Sequence, residues 1–295
     1  MHVRSLFFIT DSTQHYYHVI MTLKKQYYNN KITLLKYDKK ESGNMSITIS
    51  IALQKGGVGK TTTALALAST LGFKKKKVLL IDMDGQRDST YASGIDTLEK
   101  SITDVLGETC TVPDAVIKCK YYDLLGADEY LPNVELSNDV ESTLLKTVLK
   151  PYKNLYDYII IDTPPALGNL SYMSLVASDY VVIPTEPRPF ALKGLGTLNN
   201  TIQSIKESLN PDLKVLGILL IKYHNRTILN RDIKDMIEDT ARDMNTSVFN
   251  ATIRDGIAVP EAETMRVPLI DYAKSSKPNI DYKAFTTELL KKVEG

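Results

Sequence analysis

The chain is predicted to be an α/β protein, a twisted and mostly parallel sheet covered by helices on both faces. Three observations predict this. Short apolar runs such as Val78 to Ile81 and Ile159 to Ile161 carry no polar alternation, as expected of strands covered on both faces. Stretches with helical apolar spacing separate these runs. A glycine-rich segment, Gln54-Lys55-Gly56-Gly57-Val58-Gly59-Lys60-Thr61-Thr62-Thr63, stands at the first strand-to-helix junction.

Residues 1–44 precede the pattern. They hold seven Lys or Arg against three acids, a local +4, which leaves −3 for the rest of a chain whose net charge is +1. They lack the continuous apolar core and small-residue cleavage site of a signal peptide, despite Leu6-Phe7-Phe8-Ile9, and are too short for a core of their own. The favoured expectation is an N-terminal extension, either a peripheral arm or a segment upstream of a working start at Met45. The other reading is a basic, Tyr-rich strand that touches DNA or a partner.

From Met45 the elements follow in order as one domain, residues 45–295. Ser46 to Leu53 is predicted as the first strand, Lys60 to Leu71 as a helix closed by Gly72, and Val78 to Asp82 as the second strand. The four lysines 74–77 between them read as a solvated turn. Further strands are predicted at Tyr122 to Leu125, Tyr158 to Asp162, Tyr180 to Pro184, Leu216 to Ile221 and about Thr246 to Ile253. Helices are predicted at Ala191 to Leu209, Asn230 to Asp243 and Asp281 to Val293. Tyr282, Phe285, Leu289, Leu290 and Val293 share one face of the last, the pattern of a helix packed on its own domain.

Composition narrows the class. With 43% hydrophobic and 24% charged residues the chain is ordinary for a soluble globular protein, and its longest apolar runs fall far short of a bilayer span. Cys110 and Cys119 lie nine apart without paired spacing or a nearby His, which indicates neither a metal site nor a disulfide framework and fits a reducing cytoplasm. A net charge of +1 gives no domain-wide basic field, so any nucleic-acid binding needs a local patch.

The glycine-rich segment is suited to phosphate. Gly56, Gly57 and Gly59 let the backbone wrap so that successive N–H groups face one anion. Lys60 adds a charge, the following helix points its positive end at the same place, and the Thr61 hydroxyl is positioned for a magnesium ion bridging phosphates. The ordinary motif has glycine at its first position; this chain has Gln54 there and a second lysine, Lys55. The plain alternative, a glycine-rich turn that happens to precede Lys and Thr, is opposed by the strand before it and the helix after it. Three carboxylates, Asp82, Asp84 and Asp162, end apolar strands whose carboxyl ends converge on the loop in a parallel sheet. One such Asp would suit a helix cap. Two such runs beside a phosphate loop suit magnesium ligation and the orienting of a water.

Lys55-Gly56-Gly57-Val58-Gly59-Lys60-Thr61-Thr62-Thr63, Asp82-x-Asp84-x-Gln86 and Asp162-Thr163-Pro164-Pro165 together resemble the ParA/Soj group of partition ATPases, within the deviant Walker A P-loop class that includes MinD. Similar segments continue through Leu167-Gly168-Asn169-Leu170, Val182-Ile183-Pro184-Thr185, Phe190-Ala191-Leu192-Lys193-Gly194-Leu195, Asn225-Arg226-Thr227 and Asp271-Tyr272-Ala273-Lys274-Ser275, so that the resemblance spans Met45 to about Lys292. It implies an ATP and Mg2+ site in which Lys60 contacts the β- and γ-phosphates, Thr61 ligates the magnesium, and Gly56, Gly57, Val58, Gly59 and Thr62 complete the cradle. Lys55 is then the lysine that reaches the partner subunit's nucleotide, which makes ATP part of a homodimer interface. Asp84 positions the attacking water, Asp162 holds magnesium through water, and Asp82 is local structure. The same resemblance implies slow hydrolysis stimulated by a ParB-type centromere-binding protein, ATP-bound dimers that bind DNA without sequence preference, release on hydrolysis, and a cytoplasmic, nucleoid-associated location with no membrane partner.

Two departures stand out. Gly85 occupies a place where the family usually has Pro, and Ala258 one where a common family pattern has a DNA-contacting Arg. Arg226, Arg254, Arg266, Lys274 and Lys277 are candidates for a replacement patch, each also readable as a solvated surface charge. Other classes fit less well. The alternative is a MinD-like ATPase cycling on a membrane or positioning another cargo; the membrane form needs a terminal basic amphipathic helix, and Glu288 and Glu294 oppose that in the tail. An electron-transfer ATPase needs cluster cysteines in glycine-rich loops, which Cys110 and Cys119 lack. A sequence-specific repressor needs an N-terminal helix-turn-helix, which 44 residues do not provide.

Overall fold

The structure of the protein, a computed structural model, describes residues 46–136, 141–224 and 228–295. The readings made for residues 1–44 and the candidate Arg226 lie outside them. Seven strands form one sheet: β1 (Ile47–Ile51), β2 (Val78–Asp82), β3 (Val116–Lys118), β4 (Asp123–Leu125), β5 (Tyr158–Asp162), β6 (Tyr180–Thr185) and β7 (Lys214–Leu220). Their order is β3-β4-β2-β5-β1-β6-β7, and every neighbouring pair is parallel except β3 with β4.

The connections are helical, as parallel pairing requires. They are α1 (Lys60–Phe73), α2 (Asp88–Ala92), α3 (Ile102–Leu106), α4 (Val112–Ala115), α5 (Leu131–Leu136), α6 (Leu144–Leu149), α7 (Asn169–Ala177), α8 (Ala191–Ser208) and α9 (Ile228–Asp243), followed by α10 (Ala258–Thr264), α11 (Leu269–Tyr272) and α12 (Lys277–Glu294). Alternate strand residues serve opposite layers. Val182 and Leu219 pack with Leu67 and Leu71 of α1 and Phe285 and Leu289 of α12, whereas Val181, Ile183, Ile218 and Leu220 pack with Leu175 of α7, Leu198 and Ile202 of α8 and Ile237 of α9. Both faces are thus covered, which is why the strands lack polar alternation. Tyr282, Phe285 and Leu289 are buried in the first layer, with Leu290 and Val293 packed at its edge. Among the described residues no helix is long and apolar enough to cross a membrane.

The structure departs from expectation in three places. The stretch from Thr246 to Ile253 makes only isolated bridges, Ile218 to Val248 and Ile221 to Ile253. Glu288 of α12 accepts the Asn250 and Ala251 N–H groups at 2.9 Å each, taking the amides that a strand would give to a ladder. Helix α1 does not end at Gly72 but runs on to Phe73. Glycine is needed there for approach rather than termination, because a Cβ on Gly72 would lie 1.7 Å from the Tyr121 carbonyl oxygen. Strand β3, three residues long, carries no periodic signal and went unpredicted.

Candidate nucleotide site

β1 ends at Ile51, and buried Ala52 and Leu53 lead into the glycine loop. Gly57 and Gly59 take positive φ, +71° and +68°, which L side chains resist. Gly59 is also fixed by space, since a Cβ there would stand 2.7 Å from Ile221 Cδ1. Gly56 carries neither constraint. Gly59 is the N-cap of α1, and the first intrahelical bond runs from Thr63 N–H to Gly59 O at 2.9 Å, so the N–H groups of Lys60, Thr61 and Thr62 have no partner within the helix. They form the start of an anion cradle. Lys60 is 7% exposed, and its ammonium donates to the Lys55 carbonyl at 2.9 Å. Burial lowers its pKa, while Asp162 and Asp84 act in the opposite sense.

Register brings the carboxylates together. Asp82 and Asp162 are directly paired in the β2–β5 ladder, and Ile51 pairs with Asp162 on the other side. Asp82 accepts the Asp84 N–H at 3.1 Å on Oδ1 and the Thr90 N–H and hydroxyl at 2.8 and 2.7 Å on Oδ2, as a group of local structure would. Asp162 is fully buried; its Oδ2 accepts the Ser89 hydroxyl at 2.7 Å. Burial, followed by the charge of Asp82, raises the Asp162 pKa, and the Ser89 and Thr61 hydroxyls oppose the rise. Its Oδ1 is buried with no hydrogen-bond partner. Asp84 lies nearer the surface at 9% exposed, with the Gln86 N–H donating to Oδ1 at 3.0 Å. Its pKa is raised by burial and pulled back by Gln86 and Lys60.

An orphaned buried oxygen on Asp162 with the Thr61 hydroxyl near it fits magnesium. That ion prefers oxygen ligands and takes one or two carboxylates plus substrate oxygens rather than a full protein cage. Accordingly, no group of three or more His, Cys, Asp or Glu is arranged to hold a metal among the described residues.

Other candidates fall differently. The Thr62 hydroxyl donates to Glu263 of α10 at 2.6 Å. Lys55 is half-buried, and its charge acts on Glu186, just past β6. Glu186 also binds Lys222 at 2.8 Å and Arg188 at 2.5 Å. Arg254 is clamped in two places by Asp281, at 2.8 and 2.6 Å. Arg266 pairs with Asp96 at 2.7 Å and lies 4.5 Å over the Tyr91 ring. Lys274 and Lys277 are exposed, and Arg254 and Lys277 line one groove together with Arg231 and Lys234 of α9. Sequence reasoning missed Ser89, Thr90, Glu186 and Glu263. The hydroxyl pair five and six residues after Asp84 was the visible hint for the first two.

A glycine cradle on the first strand, flanked by in-register carboxylates at the ends of parallel strands, defines a nucleoside-triphosphate-binding α/β domain of the deviant P-loop class. In agreement, the AAA domain family, AAA_31, matches residues 46–215. The chain is 34% identical to the chromosome partitioning protein ParA of Myxococcus xanthus over 88% of this chain and 93% of that one. With the sporulation initiation inhibitor protein Soj of Bacillus subtilis it is 36% identical over 79% and 94%. A crystal structure of cobyrinic acid a,c-diamide synthase from Mycobacterium smegmatis with bound ADP and magnesium superposes with a TM-score of 0.73 at 30% identity, covering 85% of this chain and 96% of that one. The chain belongs to the ParA/Soj family of ATPases.

Proposed function

We propose that this chain is an ATP-dependent DNA partition protein, in which a weak ATPase switches a homodimer on and off DNA. The observation that carries the ATPase reading is the buried Asp162 carboxylate, approached by the Thr61 hydroxyl and with its Oδ1 left without a hydrogen-bond partner, together with Lys60 and first-turn amides that have no partner within the helix. In this reading Lys60 and those amides hold the β- and γ-phosphates of ATP, and Thr61 and Asp162 hold the magnesium. Bound magnesium supplies charge neutralisation on the phosphate oxygens. Asp84, close to the surface and to Lys60, orients the attacking water. Lys55 leaves the neighbourhood of Glu186 to reach the nucleotide of a second subunit.

The partition reading is supported by relatives named for chromosome partitioning that match over nearly their whole length. The Mycobacterium smegmatis synthase is named for a different activity, at lower identity. The ATP dimer then binds nucleoid DNA in the cytoplasm without sequence preference, and a ParB-type partner stimulates hydrolysis and release. Residues 1–44 remain an extension to the ATPase domain. Lys277, with Arg231 along its groove, and the exposed Lys274 are better placed for phosphate contact than Arg254, Arg266 and Lys234, whose charges are already engaged by Asp281, Asp96 and Glu238. Fluorescence anisotropy on random-sequence duplexes tests this. Binding should require ATP, vary little with sequence and weaken steeply with salt, because counterion release supplies the affinity. Nucleotide-independent or salt-insensitive binding would falsify it.

A further inference from the structure

Two loops border the site, the segment 83–87 that carries Asp84 and the segment 163–168 that follows Asp162. The short helix α5 touches both. Pro132 fills the space beside Gly85, where a Cβ would stand 2.7 Å from Pro132 Cγ and 3.2 Å from Cδ. One turn on, Glu135 reaches the second loop. Its Oε2 accepts the Leu170 N–H at 2.9 Å, its main-chain carbonyl accepts Asn169 Nδ2 at 3.1 Å, and a Cβ on Gly168 would fall 1.3 Å from its Oε1. The i, i+3 spacing of Pro132 and Glu135 sets both on one side of the turn.

α5 is itself anchored. Leu131 is fully buried, and Asp128 accepts the Tyr130 and Leu131 N–H groups at 3.1 Å and the Ser101 hydroxyl at 2.8 Å. The lead-in to α5 is tied back to the first loop. Arg87 Nε donates to the Ala127 carbonyl at 3.0 Å, and the Ala127 N–H donates to the Thr90 hydroxyl at 2.9 Å, the same hydroxyl that donates to Asp82. The N-cap of α7 is Gly168, which has no side chain to cap with, so Glu135 supplies that acceptor from another element.

We propose that α5 is a tie-bar that fixes the Asp84 loop and the loop after Asp162 relative to each other, with Glu135 as its positioning residue. The contacts stand by themselves, whereas the effect on hydrolysis presupposes the ATPase reading above. Losing the Glu135 carboxylate frees the start of α7 and lets α5 shift, and the shift reaches Gly85 through Pro132.

Hydrogen exchange on the full chain without nucleotide tests this directly. Glu135→Ala should raise exchange at Leu170, and also at Gln86 and Arg87, by about fivefold, the scale of one lost cap. Gly168→Ala, which leaves Glu135 in place but displaces its carboxylate, should give the same pattern. The double variant should add nothing to Glu135→Ala alone. With ATP and magnesium, kcat should fall at unchanged KM. Unchanged exchange at Gln86 and Arg87, or a wild-type kcat, would reduce Glu135 to a local cap and overturn the tie-bar. A wild-type chain that hydrolyses no ATP would instead strike at the ATPase reading and leave the exchange result to decide the linkage.

Discussion

Lys60 is held between opposing influences, burial lowering its pKa and two carboxylates raising it, with the Lys55 carbonyl as its hydrogen-bond partner. A triphosphate would replace that carbonyl with a stronger, charged acceptor. Lys60→Ala should therefore abolish nucleotide binding in a fluorescent-nucleotide titration. Asp84→Ala should leave ATP bound and trap the dimer; a variant that still turns over at the stimulated wild-type rate would remove Asp84 from water positioning. For Lys55→Ala, light scattering with ATP should show monomer. Chemistry elsewhere is suppressed by burial. The Cys119 thiol is pushed up to about 11 by burial, with the Asp123 charge adding to it. Because the thiolate is the reactive form, alkylation of Cys119 at pH 8 should run about a hundredfold slower than for an ordinary thiol and recover on unfolding. These residue roles differ in how they could be read from sequence. Lys60, Thr61 and Asp162 sit at fixed places in motifs, but Ser89 and Glu263 act through contacts that only the fold creates.

At the scale of elements, glycine separates the predictable from the hidden. Gly72 looks like a helix stop, yet it lies inside α1 because the Tyr121 backbone passes where a side chain would be. Alanine at this position gains about 1 kcal/mol of helix propensity, but displacing a backbone carbonyl costs more. Gly72→Ala should destabilise the domain by about 1–3 kcal/mol in urea titration. Gly85, at a position where the family pattern has proline, faces Pro132 across space, so the loop is packed from outside instead of stiffened from within. Strands whose apolar runs have no polar alternation were legible to the residue, as Val78–Asp82 and Tyr158–Asp162 show. The 246–253 stretch misled because its β-like composition serves packing, with Phe249 set 4.9 Å from Phe285, while its Asn250 and Ala251 amides go to Glu288 and break the ladder between them.

Across the whole molecule, the tail is committed to the core. Phe285 is fully buried and the Tyr282 hydroxyl lies 3.3 Å from that of Thr63 in the phosphate-loop helix. Phe285→Ala should cost about 3–5 kcal/mol of stability. The apolar face that a membrane-cycling ATPase would offer to lipid is already used, so anionic vesicles should not pellet the chain with ATP. Fold class and layer count were legible because parallel strands covered on both faces lose their polar alternation; the order of the sheet was not, since apolar composition says nothing about which strand is whose neighbour. That order has a kinetic consequence. β1 lies between β5 and β6, and its Ser50 meets Ser178 at a separation of 128 positions. Contacts of such span form late, because the chain must close a long loop before they are rewarded. On dilution from denaturant, helical signal should return first and nucleotide binding only in the slowest phase, so recovered ATP binding reports a finished sheet rather than a collapsed chain.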